Sequence, residues 1–290
     1  MKVKKAVILA AGFGTRMLPA SKSVPKEMIN LVDRPVMHYL IEEAAKSGVE
    51  DILVITSRNK SVMEDYFDYA PELEAQLERG GKVEALAKTR AGAELANVLF
   101  VRQREMLGTG HAVSRAKGFV GSDPFAVFLG DDVMHAEKPV IGQLIEASEK
   151  FGAPSVGTQL VPPEMVSKYS SLKVEPLEGR VMRLFDMNEK PSPEEKFSDY
   201  AILGRYVLTA EIFEILENTK PGVGGEIWLT DALRTLCLRA PMLAVDFEGK
   251  RYDTGNLAGY LEATLELAME NAEAGAWLRD FLLKKAAELK

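Results

Sequence analysis

Residues 6–27, Ala6-Val-Ile-Leu-Ala-Ala-Gly-Phe-Gly-Thr-Arg-Met-Leu-Pro-Ala-Ser-Lys-Ser-Val-Pro-Lys-Glu27, decide how the chain is read. Ala6 to Ala10 are apolar without alternation, which predicts a strand buried on both faces. Ala11-Gly12-Phe13-Gly14-Thr15 ends that run, and its two glycines allow a tight turn with backbone close to a ligand. Successive exposed N–H groups in such a turn cradle phosphate oxygens. Arg16 and Lys26 add fixed positive charge, and Arg grips phosphate through two parallel bonds. Pro19 and Pro25 stiffen the stretch that carries those charges. Two other nucleotide loops do not fit. The Walker pattern is absent, and the third glycine of the dinucleotide fingerprint is replaced by Met17. Asp33 precedes the next predicted strand, Asp51 to Ser57, instead of ending it, which argues against a dehydrogenase.

Bulk properties narrow the class. The 290 residues are 47% hydrophobic and 27% charged, a globular composition large enough for one large domain or two small ones. A formal net charge of −7 argues against general nucleic-acid binding, while local cations and a metal suffice for a triphosphate. Cys237 is the only cysteine, so neither an intrachain disulfide nor a Cys-rich zinc site is expected. No apolar run approaches the ~20 residues that span a membrane. The short first apolar run ends in the glycine loop and does not read as a signal peptide, so a cytoplasmic location is expected.

Strand and helix patterns alternate outward from the loop, predicting a parallel sheet with helices on both faces. Val36 to Lys46 reads as a helix and Asp51 to Thr56 as a strand. Lys60 to Tyr69 and Pro71 to Arg90 read as a polar helical excursion, either a solvated hairpin or an arm for another subunit. Asn97 to Gln103 is the third strand. It delivers Gln103 to the carboxyl edge of the sheet, where such sheets bind ligands, ahead of a second glycine turn at Gly108. An amide there offers both a donor and an acceptor to the imide edge of a pyrimidine. His111 opens the next helix and reads as a packing residue. Pro124 to Leu129 ends in Gly130-Asp131-Asp132, whose adjacent carboxylates point nearly opposite ways. One reaches a metal and the other binds the loop or the nucleotide. Mg²⁺ takes one or two carboxylates plus phosphate oxygens, and Asp253 in Arg251-Tyr252-Asp253-Thr254-Gly255 is the second candidate. From Pro162 to Tyr200 short alternating strands, Leu172 to Glu175 and Arg180 to Asp186, suggest an antiparallel insertion before the sheet resumes at Ala201 to Val207. Leu257 to Glu273 and Ala276 to Leu289 read as amphipathic helices packing on the core or a partner subunit.

Gly12-x-Gly14-Thr15-Arg16-x-x-Pro19 with Pro25-Lys26-Glu27 resembles the signature loop of the sugar-1-phosphate nucleotidylyltransferases, and within them the bacterial UTP–glucose-1-phosphate uridylyltransferases. Further matches run from about Lys5 to Leu267. The resemblance implies an α/β fold, a Rossmann-like three-layer sandwich with a mixed, mostly parallel central sheet. It implies one nucleotidyltransferase domain over 1–290: a nucleotide half to about 135, a sugar half over about 136–255, and C-terminal helices over about 256–290. The expected substrates are UTP and a sugar 1-phosphate, the cofactor Mg²⁺, and the assembly a homodimer or homotetramer. Ala11, Gly12, Gly14, Thr15, Glu27 and Asp132 are expected against the nucleotide, with Gln103 reading uracil and Gly108 leaving room for the base. Asn188-Glu189-Lys190-Pro191 matches the family's Glu-Lys-Pro, implying that Glu189 holds sugar hydroxyls and Lys190 the sugar phosphate. Gly204 in Ile202-Leu203-Gly204-Arg205-Tyr206 is expected to give the sugar close backbone access. Two departures, Ser170 where the resemblance suggests glycine and Asp199-Tyr200 where it suggests Ser-Asn, lie on the sugar side and leave the sugar's identity open.

The chemistry implied is in-line attack of a sugar-1-phosphate oxygen on the α-phosphorus of UTP. Arg16, Lys26 and Lys190 would supply positive charge, and Asp131 and Asp253 would hold Mg²⁺. No Gly-x-Ser-x-Gly, His-Glu-x-x-His or cysteine nucleophile context competes with that assignment. The same chemistry with dTTP or another sugar 1-phosphate, and a sensor that binds sugar nucleotides without turnover, are the alternatives.

Overall fold

The computed structural model describes residues 1–289, and Val223 by its main chain alone; Lys290, at the end of the 256–290 segment, lies outside them. The strands in chain order are β1 (Lys5–Leu9), β2 (Asn30–Leu31), β3 (Arg34–Pro35), β4 (Asp51–Thr56), β5 (Asn97–Arg102), β6 (Phe125–Leu129), β7 (Asp132–His135), β8 (Ser155–Leu160), β9 (Ser170–Glu178), β10 (Val181–Glu189), β11 (Tyr200–Leu208), β12 (Met242–Asp246) and β13 (Lys250–Asp253). Nine of them form one sheet in the order β5-β4-β1-β6-β11-β8-β12-β10-β9. Following the pairings across it, only β10 and β11 run against the rest, so the sheet is mixed and mostly parallel.

The apolar run of β1 explains its central place. Parallel neighbours flank it on both edges, and its side chains divide between two cores: Ala6 and Ile8 face one, Val7 the other. Helices Val36–Lys46 and Val140–Phe151 pack on the first face. Helices Glu211–Asn218 and Leu229–Arg239 pack on the second. A strand covered on both sides has no solvent face to encode, which is why its sequence shows no alternation. The first face also holds a buried ion pair. Arg205 of β11, wholly inaccessible, donates to Glu43 of helix Val36–Lys46 at 2.6 Å and to the Asp132 carbonyl at 2.8 Å. Glu43 accepts a further bond from the Ile141 N–H at 2.9 Å, and the guanidinium lies 4.5 Å from the Phe128 ring centre. Every polar end of this charge pair is satisfied, the condition under which burying it is tolerable.

Residues 62–90 form three short helices. The last two, Pro71–Arg79 and Val83–Arg90, make the expected hairpin, tied by Arg90 to Glu74 at 2.7 Å. Residues 162–200 belong to the main sheet. β9 and β10 are longer than the sequence suggested and extend the main sheet through β10–β12 pairing. Two register shifts and Pro176 near the end of the outermost strand break the alternation that would have revealed their length.

Cys237 is buried in the second core, and burial pushes its thiol up to about 11. At pH 8 this leaves about one thiol in a thousand ionised, against roughly one in four for an ordinary cysteine. Ellman's reagent at pH 8 should therefore label the folded protein at least about a hundredfold more slowly than the unfolded chain. Equal rates would show that the thiol is reachable and ordinary.

Candidate active site

The loops after β1, β4, β5 and β6 all open on the carboxyl edge of the parallel half. The first three line a cavity of about 920 Å³ that includes Phe13, Lys26, Asn59, Lys60 and Gln103. In the glycine loop, the main-chain N–H groups from Ala11 to Thr15 have no hydrogen-bond partner among the described residues. Gly14 is left-handed (φ 69°), and its carbonyl accepts from the Ser21 hydroxyl at 2.8 Å. A run of open amides beside Arg16 and Lys26 is an anion cradle in geometry as well as in sequence.

A second cavity, of about 280 Å³, is lined by Arg16, Asp131, Glu189, Lys190 and Asp253 among others. Lys26 joins the two: it lines the first cavity, and its ammonium meets Asp131 of the second at 2.5 Å. Arg16 Nη2 lies 3.5 Å from Asp131, and Nη1 lies 3.8 Å from Asp253. A methyl placed on Gly255 would lie within 3.0 Å of Asp131 Oδ2, Arg16 Nη2 and Asp253 Oδ1 together. Burial disfavours the charge on Lys26, but Asp131 outweighs it and holds the ammonium above its ordinary range. Burial likewise favours a neutral Asp131, and Lys26 outweighs that, holding the carboxylate ionised to lower pH.

A two-stranded ribbon sets the carboxylates. β7 and β13 pair antiparallel with Asp132 opposite Asp253, and the N–H and hydroxyl of Thr254 both bond the Asp131 carbonyl, at 2.9 and 2.8 Å. Asp131 thus faces Lys26 while Asp132 turns the other way. Asp132, expected against the nucleotide, lines the second cavity and not the first. It is buried against Arg251 at 2.7 Å, whose guanidinium also reaches the Tyr169 hydroxyl at 3.1 Å. Burial pushes Asp132 up to about 6, with Arg251 opposing and Asp131 adding.

Other expected residues are also placed differently. Glu27 is wholly buried and holds Lys60 at 2.9 Å, so it cannot touch a nucleotide. Gly108 (φ 99°) also packs tightly on protein: a Cβ there would lie 2.7 Å from the Ile227 carbonyl. Gly204 (φ 65°) is required by Asp132, whose carboxylate a Cβ would strike. Gln103 spends its amide N–H groups inward, on the Gly108 carbonyl at 3.2 Å and His111 Nδ1 at 2.9 Å. Its carboxamide oxygen is the end left open to a donor. His111 orients that amide. Lys190 has φ 44°, unusual for a non-glycine residue, and its ammonium sits 4.2 Å from the Trp228 ring centre. Burial raises the Glu189 carboxyl, and a hydrogen bond to Thr230 opposes this.

The sequence model of the family described as "Nucleotidyl transferase" matches residues 5–270. The chain belongs to the nucleotidyl transferase family. A UTP–glucose-1-phosphate uridylyltransferase of Bacillus subtilis (strain 168) is 48% identical over 282 residues, 97% of this chain and 95% of that protein. A crystal structure of UDP-glucose pyrophosphorylase complexed with UDP-glucose superimposes with a TM-score of 0.85 at 41% identity, over 93% of this chain and all of the other. A UTP-bound UGPase from Acinetobacter baumannii gives a TM-score of 0.90 at 37% identity, over 97% and 99%. Within this nucleotidyl transferase framework, three site residues escaped the sequence reading: Lys60, Arg251 and Arg205. Lys60 was signalled by its place just beyond β4, in register with the glycine loop beyond β1; Arg251 was signalled by nothing but its proximity to Asp253. Arg205 looked like one more residue of a buried strand.

Proposed function

We propose that the chain transfers UMP from UTP to glucose 1-phosphate, releasing UDP-glucose and pyrophosphate. The observation that carries this reading is the meeting of Lys26, Arg16, Asp131 and Asp253 between an anion cradle and a cavity lined by Glu189 and Lys190. An oxygen of the sugar phosphate attacks the α-phosphorus, the bond to the α–β bridging oxygen breaks, and that oxygen leaves on pyrophosphate. The attacking group is already an anion, so the barrier is repulsion between two polyanions, and positioned positive charge lowers it. Arg16 and the open amides of the loop hold the leaving phosphates. Lys26 neutralises the transferring phosphoryl, and Lys190 steers the incoming phosphate. Asp131 and Asp253 fit Mg²⁺: two carboxylates face one point, which suits an ion completed by substrate oxygens. When bound there, Mg²⁺ supplies charge stabilisation to phosphate oxygens.

The division of labour follows the chain. Residues to about 135 bind nucleotide, about 136–255 bind sugar, and the C-terminal helices serve assembly. On helix Leu257–Glu270, Leu257, Leu261 and Leu265 recur every fourth residue and are 62%, 49% and 41% exposed. That stripe fits a homodimer or homotetramer, which light scattering on the purified protein tests.

A screen of pyrophosphate release, crossing nucleoside triphosphates with sugar 1-phosphates in the presence of Mg²⁺, tests the reaction. Turnover should be highest with UTP and glucose 1-phosphate. Binding of UDP-glucose without any release would identify a sensor instead. Gln103→Ala should narrow the preference for UTP over CTP by about tenfold or more. The carboxamide oxygen accepts from the uracil N3–H, whereas cytosine presents a bare nitrogen there. An unchanged ratio would take Gln103 out of base selection.

A further inference from the structure

Lys60 lies beneath the glycine loop with 7% of its surface exposed. Its ammonium bonds the Ala10 carbonyl at 2.6 Å, the Gly12 carbonyl at 2.9 Å, and both Glu27 oxygens at 3.1 and 2.9 Å. An ammonium has three N–H donors, so with these acceptors none remains for a substrate. Its effect on the reaction must pass through the backbone it holds.

The direction of that effect follows from peptide geometry. In a planar trans peptide the C=O and the N–H point opposite ways. The Ala10 carbonyl shares its plane with the Ala11 N–H, and the Gly12 carbonyl with the Phe13 N–H. By drawing both carbonyls down, Lys60 turns both N–H groups away from itself, and neither has a partner within the described residues. Glu27, which holds Lys60, is the chain neighbour of Lys26, the cation that meets Asp131. One buried charge pair therefore fastens the loop at its entry and at its exit, across 33 positions of sequence.

We infer that Lys60 is a positioning residue for the triphosphate: with Glu27 it aims the loop amides and seats Lys26, so that the UTP phosphates meet a preformed cradle. This rests on the uridylyl-transfer reading above. A pair that merely braced the fold would lower stability without distinguishing the two substrates. A clamp on the loop weakens the nucleotide and spares the sugar phosphate, which binds in the other cavity.

UTP is titrated calorimetrically into the wild type, Lys60→Met and Glu27→Gln, and KM for each substrate is measured with the other saturating. Wild-type protein that binds no UTP overturns the functional reading, and this role with it. With wild-type binding established, Lys60→Met, which keeps length and loses the ammonium, should weaken UTP by about tenfold or more. Its KM for glucose 1-phosphate should stay within about twofold of wild type. Glu27→Gln, which keeps an acceptor but loses the charge, should weaken UTP by about threefold or more, and it decides the matter alone if Lys60→Met does not fold. Unchanged UTP affinity in a folded variant, or equal losses for the two substrates, overturns the clamp.

Discussion

Lys26→Ala lowers kcat/KM by roughly 10³-fold, about 4 kcal/mol, the upper end for one donor aimed at charge that develops in the transition state. The upper end applies because Lys26 is mostly shielded, with 15% of its side chain exposed, and water replaces it poorly. The loss is double-sided. The transferring phosphoryl loses its counter-charge, and Asp131 loses its 2.5 Å partner, leaving Arg16 at 3.5 Å, a group 61% exposed. Initial rates of pyrophosphate release check this, with circular dichroism confirming an intact fold. A loss below about tenfold would show that Lys26 does not face the reacting phosphorus.

Glu43→Ala unfolds the protein earlier by about 3–5 kcal/mol, because it strands the Arg205 guanidinium without its carboxylate inside the core. At about 2–4 °C per kcal/mol this is a drop of roughly 10 °C in melting temperature. The double variant Glu43→Leu with Arg205→Met restores much of that loss, since an apolar pair replaces a buried charge pair at little net cost. Activity should not return with stability. Arg205 also donates to the Asp132 carbonyl, next in the chain to Asp131, and methionine cannot. Calorimetric melting of the three variants beside their turnover decides. Full recovery of both in the double variant would make the pair a brace without bearing on the site.

The fold and half of the site were legible for one reason: their signals are local. β1 shows a buried strand in five residues, and Gly12, Gly14, Arg16 and Lys26 gather their meaning within one loop. Gln103 and Asp131 were found because strand ends point to the ligand edge. What escaped depends on partners far away in sequence. Lys60 is defined by Glu27, 33 positions off, and Arg205 by Glu43, 162 positions off. Glu27 misled because it follows Lys26, yet a short 3₁₀ turn sends the two side chains to opposite sides. Gly108 and Gly204 were correctly marked as needing to be glycine, but for a ligand's sake. The neighbours that forbid a Cβ, Ile227 and Asp132, are visible only in three dimensions.

The antiparallel ribbon of β7 and β13 has an evolutionary consequence. It staples position 132 to position 253, and Thr254 bonds the Asp131 carbonyl, so Asp131 and Asp253 keep their spacing although far apart in the chain. The stretch between can therefore vary wherever it does not carry Lys190, Gly204 or Arg205 without moving the two ends of that ribbon. Chimeras that swap this middle stretch between relatives of different sugar preference should therefore inherit the donor's acceptor and keep the host's nucleotide.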